Sequence, residues 1–274
     1  MYLCISTLLF QNRFVSYGSE HLSWLLYGAL STAFWIWYGR RQPDEPGKQR
    51  IGLIMSLIPA TLWACISVYL IAYTDPVDLN LVLPFHVCYF INLMMPVLMW
   101  RRSYFLFEIF YFVVMAGCIQ ALLTPDVSTV FPDHIHIRYF VVHISLVQSV
   151  LYAIFVFRFR PTWKGLGKTL VWMNFYFVFV LIINLLLDTN FMFLRKKPAS
   201  TSLLDHLGDW PWYILVSEFV AVILFAVVML PFAVGGRGNS RINLDEDKEK
   251  ERKQRESLLI EMMRADEDAG IYEK

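Results

Sequence analysis

Residues 81–100 read LVLPFHVCYFINLMMPVLMW. Twenty residues pass without a carboxylate, a lysine or an arginine. As a helix they rise about 30 Å, which matches the hydrocarbon layer of a bilayer. Near its start the run carries an imidazole, His86, and a thiol, Cys88. An ionisable group at such a place is costly and is by default a functional-site hypothesis.

Similar runs lie on both sides: about Leu22–Tyr38, Ile51–Tyr73, Tyr104–Leu123, Arg138–Phe157, Leu166–Leu187 and Pro211–Val234. The whole chain of 274 residues is 57% hydrophobic and only 17% charged, below the quarter typical of soluble domains. The period-two alternation of a membrane barrel is absent. The expected fold is all-α, a polytopic bundle of seven transmembrane helices. Three regions follow: an N-terminal interfacial segment (1–21), the seven-helix domain (22–234) and a charged tail (235–274) that reads as helical. Met1 to Phe10 lacks a basic n-region and a small-residue cleavage site, so no cleaved signal peptide is expected.

Orientation follows from basic residues in short loops. Arg40, Arg41, Lys48 and Arg50 follow the first span, Arg101 and Arg102 the third, and Arg158, Arg160, Lys164 and Lys168 the fifth. An outside N-terminus and a cytoplasmic C-terminus satisfy these positions. Arg195, Lys196 and Lys197, before the seventh span, are the dissent.

With that topology several polar groups share one layer on the outer side. Cys88 lies about 10 Å and His143 about 8 Å inside their spans, counted at the helical rise. His86, Gln120, Asn184 and Asp188 lie near the same level. Two histidines and a cysteine at one depth suit nucleophilic catalysis, with His143 as general base, Cys88 as nucleophile, and His86 orienting the base or donating to an oxyanion. The bland alternative, a small filler and interhelical hydrogen bonds, weighs about equally. Cys65 and Cys118 are expected to be fillers. His86 and Cys88 point about 160° apart on a regular helix, so they share a cleft only if the helix begins near Pro84.

Longer motifs give a resemblance. Leu83-Pro84-Phe85-His86-Val87-Cys88 resembles the signature of the YwaF-like integral membrane proteins. Further matches are Gln120 to Asp126, His143, Arg160-Pro161-Thr162-Trp163, Asn190 to Leu194, Ser202 to Asp205, and Gly208 to Tyr213. The likeness spans about Leu22 to Phe232. That family is similar to the animal transmembrane-protein-164 proteins, which place fatty acyl chains on lysophospholipids. The resemblance implies a seven-helix lipid enzyme with its histidines at His86 and His143.

The function expected is acyl transfer to or from a (lyso)phospholipid in the outer leaflet. Arg195, Lys196 and Lys197 would hold a lipid phosphate, or would merely snorkel to the headgroups. Gln120 and Asn184 would contact substrate, while Asp126, Asn190 and Asp205 would shape the site. The partners would be membrane phospholipid and an acyl-donor lipid. No cofactor, metal or nucleic acid is expected. The membrane would be a bacterial plasma membrane, or the endoplasmic reticulum if the chain is eukaryotic. A lipid- or solute-binding receptor or carrier without catalysis is the alternative. A weaker one is a zinc site built from His134, His136, His143 and Asp126 or Asp133.

Overall fold

A chain without water to bond must satisfy its backbone internally, so each apolar run is a helix. The computed structural model describes residues 14–197 and 203–234, with 252, 253, 256, 257, 259 and 260 of the tail. Seven long helices follow in order: α1 Ser19–Arg40, α2 Glu45–Tyr73, α3 Leu79–Arg101, α4 Tyr104–Leu123, α5 His134–Phe155, α6 Trp163–Leu187 and α7 Trp212–Val234. No strand occurs among the described residues. Helices α2 to α7 are long and apolar enough to cross a membrane. The first, α1, has 22 residues but is less apolar. It spends part of that length on polar contacts: His21 Nε2 donates to the Leu122 carbonyl at 2.7 Å, and Trp24 Nε1 donates to His136 Nε2 at 3.1 Å.

The helices are not equivalent. Of α5's most apolar stretch 72% is buried, against 17% for α7, so α5 is the inner post and α7 the outermost. Helices α1, α2, α3 and α4 all pack on α5, while α6 packs on α4. The interfacial helix expected before α1 falls largely outside the described residues; Phe14 to Gly18 form an extended turn. Most of the tail also lies outside them. Its described positions are helical, and Arg252 donates to Glu256 one turn on at 3.1 Å.

Two departures from regular helix matter for function. The first is in α3, which runs from Leu79 to Val82, breaks, and resumes at Val87. Pro84 lacks an N–H and forces the residue before it out of helical geometry. Leu83 is accordingly extended (φ −93°, ψ 145°). His86 then caps the resumed helix (φ −68°, ψ 131°). The helix thus begins three residues later than a start at Pro84 would place it. The second departure is a π-turn in α4 over Val114–Cys118, a feature that recurs at functional sites.

A buried carboxylate joins α4 to the head of α6. Glu108 is 2% exposed; it accepts from Thr162 Oγ1 at 2.5 Å and pairs with Lys168 Nζ at 2.6 Å. A Cβ on Gly165 would stand 2.8 Å from the Glu108 carboxylate, which those two bonds hold in place. Gly165→Ala is therefore expected to cost about 1–3 kcal/mol. A melting curve in detergent should show a drop of several degrees, and an unchanged curve would contradict this packing.

Candidate functional site

The break in α3 exposes backbone groups that hydrocarbon cannot satisfy. Three other elements serve them. Arg138 Nη1 of α5 donates to the Leu81 carbonyl at 2.9 Å. The Tyr176 hydroxyl of α6 donates to the Phe85 carbonyl at 3.0 Å. The Val87 N–H points at Met192 Sδ, 3.2 Å away, in the turn after α6. Cys88, the second residue of the resumed helix, is thereby fixed between α4, α5 and that turn.

There its sulfur meets two partners. Cys118 Sγ, at the end of the π-turn, is 3.7 Å from Cys88 Sγ. A ring nitrogen of His143 completes the group, all three atoms lying within 4.8 Å of one another. Cys118 and His143 are buried and Cys88 is partly so. His143 Nδ1 is 2.8 Å from the Tyr139 carbonyl oxygen. A carbonyl only accepts, so Nδ1 carries the proton and Nε2 keeps its lone pair. The Tyr139 ring lies against the imidazole with centroids 4.3 Å apart, fixing its plane.

His86 stands beside this group but not in it. Its ring packs against Tyr89, Phe191 and Phe193, and its Nδ1 is 3.5 Å from the Met192 N–H. The expected set of His86, Cys88 and His143 thus appears as Cys88 with His143 and, unexpectedly, Cys118. Cys118, expected as a filler, meets the Cys88 sulfur from the end of the π-turn. Cys65 is exposed and takes no part.

The polar residues assigned to substrate have mostly structural neighbours. Asn184 is fully buried. Its amide donates to the Phe191 carbonyl at 3.0 Å and accepts from the Phe191 N–H at 2.7 Å and from Thr189 Oγ1 at 3.0 Å. That amide folds the turn carrying Met192. Arg195 Nη1 bonds the Asn184 and Thr189 carbonyls and pairs with Asp188 at 2.7 Å. The guanidinium holds the Asp188 carboxyl below its ordinary carboxylate range. Asn190 accepts from the Arg195 and Lys196 N–H groups and donates to the Lys196 carbonyl. The Lys196 side chain is exposed, and Lys197 Nζ sits 5.7 Å from the centre of the Tyr213 ring. Gln120, Asp126 and Asp205 are exposed.

The zinc set is not assembled. His136 bonds Thr129 and Trp24 and lies 3.0 Å from Glu20 Oε1, His134 packs on Tyr69, and Asp133 caps α5. Among the described residues the one group with metal-ligating spacing is Cys88, Cys118 and His143.

On the far side of the Met192 turn lies a cavity of about 190 Å³ between α6 and α7. Leu170, Met173, Phe177, Ile214, Ala221 and Phe225 give it apolar walls. Met192 and Phe193 line it as well, so the turn separates it from His86.

No curated protein and no solved structure matches the chain. The sequence model of the TMEM164 family matches residues 16–229, which take in α1 to α6, most of α7 and every member of the sulfur–imidazole group. The YwaF-like half of the resemblance stays a resemblance, but this integral, multi-pass membrane protein belongs to the TMEM164 family.

Proposed function

We propose that the protein is a membrane enzyme that moves a fatty acyl group between lipids through a thioester on Cys88. The carrying observation is the approach of a thiol and an imidazole from separate helices, within 4.8 Å, at a break in a membrane helix. A nucleophile within reach of an oriented base is the signature of covalent catalysis.

The steps balance without a cofactor. The Cys88 sulfur attacks an ester carbonyl of a donor phospholipid as His143 Nε2 takes the thiol proton. The tetrahedral oxyanion collapses and expels the lysolipid alkoxide, which recovers the proton from His143. The acyl group now rests on sulfur. A lysophospholipid hydroxyl then gives its proton to His143 and attacks the thioester, and the departing sulfur is reprotonated. Water in place of that hydroxyl makes the enzyme a hydrolase. Cys118 Sγ, 3.7 Å from the Cys88 sulfur, is placed to offer it an S–H during the displacement. The apolar cavity behind Met192 supplies room for part of a hydrocarbon chain. The positive-inside rule, applied to the loops after the first, third and fifth spans, supports an outer-leaflet setting for this chemistry.

The test is trapping. Purified wild type with a phospholipid labelled in its acyl chain should hold label that neutral hydroxylamine releases. Cys88→Ser should hold none that is so released, and should lose transfer to lysophospholipid. Full transfer by Cys88→Ser would favour proton movement by histidines alone. Absence of turnover in the wild type, with lipid still bound, would favour the receptor or carrier reading.

One observation supports a second reading. Two thiols and an imidazole within 4.8 Å of one another suit zinc, which binds such ligands tetrahedrally. Metal analysis of protein purified without chelator separates the two: near one ion per chain supports the metal site and excludes a free Cys88 nucleophile.

A further inference from the structure

Arg138 is fully buried, one turn into α5. Its Nη1 donates to the Leu81 carbonyl. Its Nε and Nη2 have no hydrogen-bond partner, and among the described residues no carboxylate pairs with it. Nε–H and Nη2–H are the two donors on one edge of the planar guanidinium. They are the pair that grips an oxyanion side-on with two parallel bonds. A guanidinium cannot shed its proton, so its charge stays in place whatever surrounds it. A buried charge with an empty donor edge is expensive, and the ordinary resolution is an anionic partner.

The surroundings limit what that partner is. The guanidinium carbon lies 5.2 Å from the centre of the Tyr89 ring, and Tyr89 in turn packs on His86. Arg138 and His143 therefore approach the first turn of the resumed α3 from two sides, one at Tyr89 and the other at Cys88. Five residues along α5 separate them, about 7.5 Å of rise. Along the helix axis that rise is comparable with the length of a glycerol unit from its phosphate to an acyl ester.

We infer that Arg138 is the phosphate anchor of the lipid substrate, binding a phosphodiester oxygen pair through Nε and Nη2. The assignment rests on the acyl-transfer reading for the identity of the ligand as a lipid. It reassigns a task that the sequence gives to Arg195, Lys196 and Lys197. Arg195 differs in that Asp188 already offsets its charge, and its Nη1 ties the loop through the Asn184 and Thr189 carbonyls. Anchored there, a phospholipid would present its ester to Cys88 with its chain directed along the membrane helices.

Binding distinguishes this without needing turnover. Detergent-purified wild type is titrated with lysophosphatidylcholine, with a monoacylglycerol of the same chain, with the free fatty acid and with inorganic phosphate, following tryptophan fluorescence. The expected result is a preference of about tenfold or more for lysophosphatidylcholine over the monoacylglycerol. Arg138→Gln should bring that ratio close to one. Arg138→Lys, which keeps the charge but loses the two-donor edge, should lose most of it. Melting curves without ligand check that each variant folds; if the glutamine variant does not, the lysine variant and the wild-type ratio decide. An unchanged ratio in the folded variants overturns the assignment. So does a wild type with no phosphate preference, a stronger preference for fatty acid, or binding of inorganic phosphate as tight as that of the lysolipid. Failure of the thioester trap alone would sink the transfer chemistry and leave this ratio readable.

Discussion

Replacing His143 by alanine is expected to lower acyl transfer by about 10²–10⁴-fold, the range removed with a positioned general base. The fold should survive. The imidazole hydrogen-bonds back to the Tyr139 carbonyl in its own helix. The small space vacated lies beside the Tyr139 ring and two thiols. The loss should therefore fall on rate, with little change in melting temperature. A second readout tests the proposed role directly: alkylation of Cys88 by iodoacetamide at neutral pH should slow, because the thiol has lost the base that takes its proton. Unchanged alkylation together with unchanged transfer would remove His143 from the chemistry.

Asn184→Ala should be the most damaging change outside that group. Three partners lose their bonds at once in a fully buried place: the Phe191 N–H, the Phe191 carbonyl and the Thr189 hydroxyl. Each unsatisfied buried group costs about 1–3 kcal/mol, so a total near 3 kcal/mol or more is expected. The damage should spread. The turn that Asn184 folds supplies Met192 to the break in α3, so Cys88 should become mobile and transfer should fall with stability. Asn184→Asp keeps the acceptor for the Phe191 N–H and is expected to be milder. Full stability in the alanine variant, by calorimetry in detergent, would show that the turn holds without its amide.

Much of this architecture is legible before any coordinates. The span Tyr104–Leu123 is read to its last residue, because serine and threonine stand at its two ends where helices start and stop. Cys88 and His143 stand out as ionisable groups in apolar runs. What sequence cannot weigh is which of two meanings a residue takes when both leave the same trace. Pro84 fits a helix start as well as a helix break, and only Tyr176, Arg138 and Met192 arriving from elsewhere make the break tenable. Cys118 resembles any small residue in a helix until a π-turn shifts its direction. Arg138 is legible in the sequence only as the first residue of the fifth hydrophobic run. Its burial is a property of what packs on it, Leu81 and Tyr89 of α3 among them, rather than of its own segment. Arg195, conversely, advertises a ligand site and serves a loop.

The interruption in α3 has a consequence for how the chain is made. Its covers are all encoded later: Arg138 by some fifty residues, Tyr176 by about ninety, and Met192 by more than a hundred. Domains tend to fold from the N-terminus as they leave the ribosome, at a modest number of residues each second. For several seconds the third segment must wait with bare peptide groups, sheltered by the insertion machinery. A chain stalled before the sixth helix would hold a thiol with no finished pocket, and cellular quality control would have that uncovered backbone to recognise.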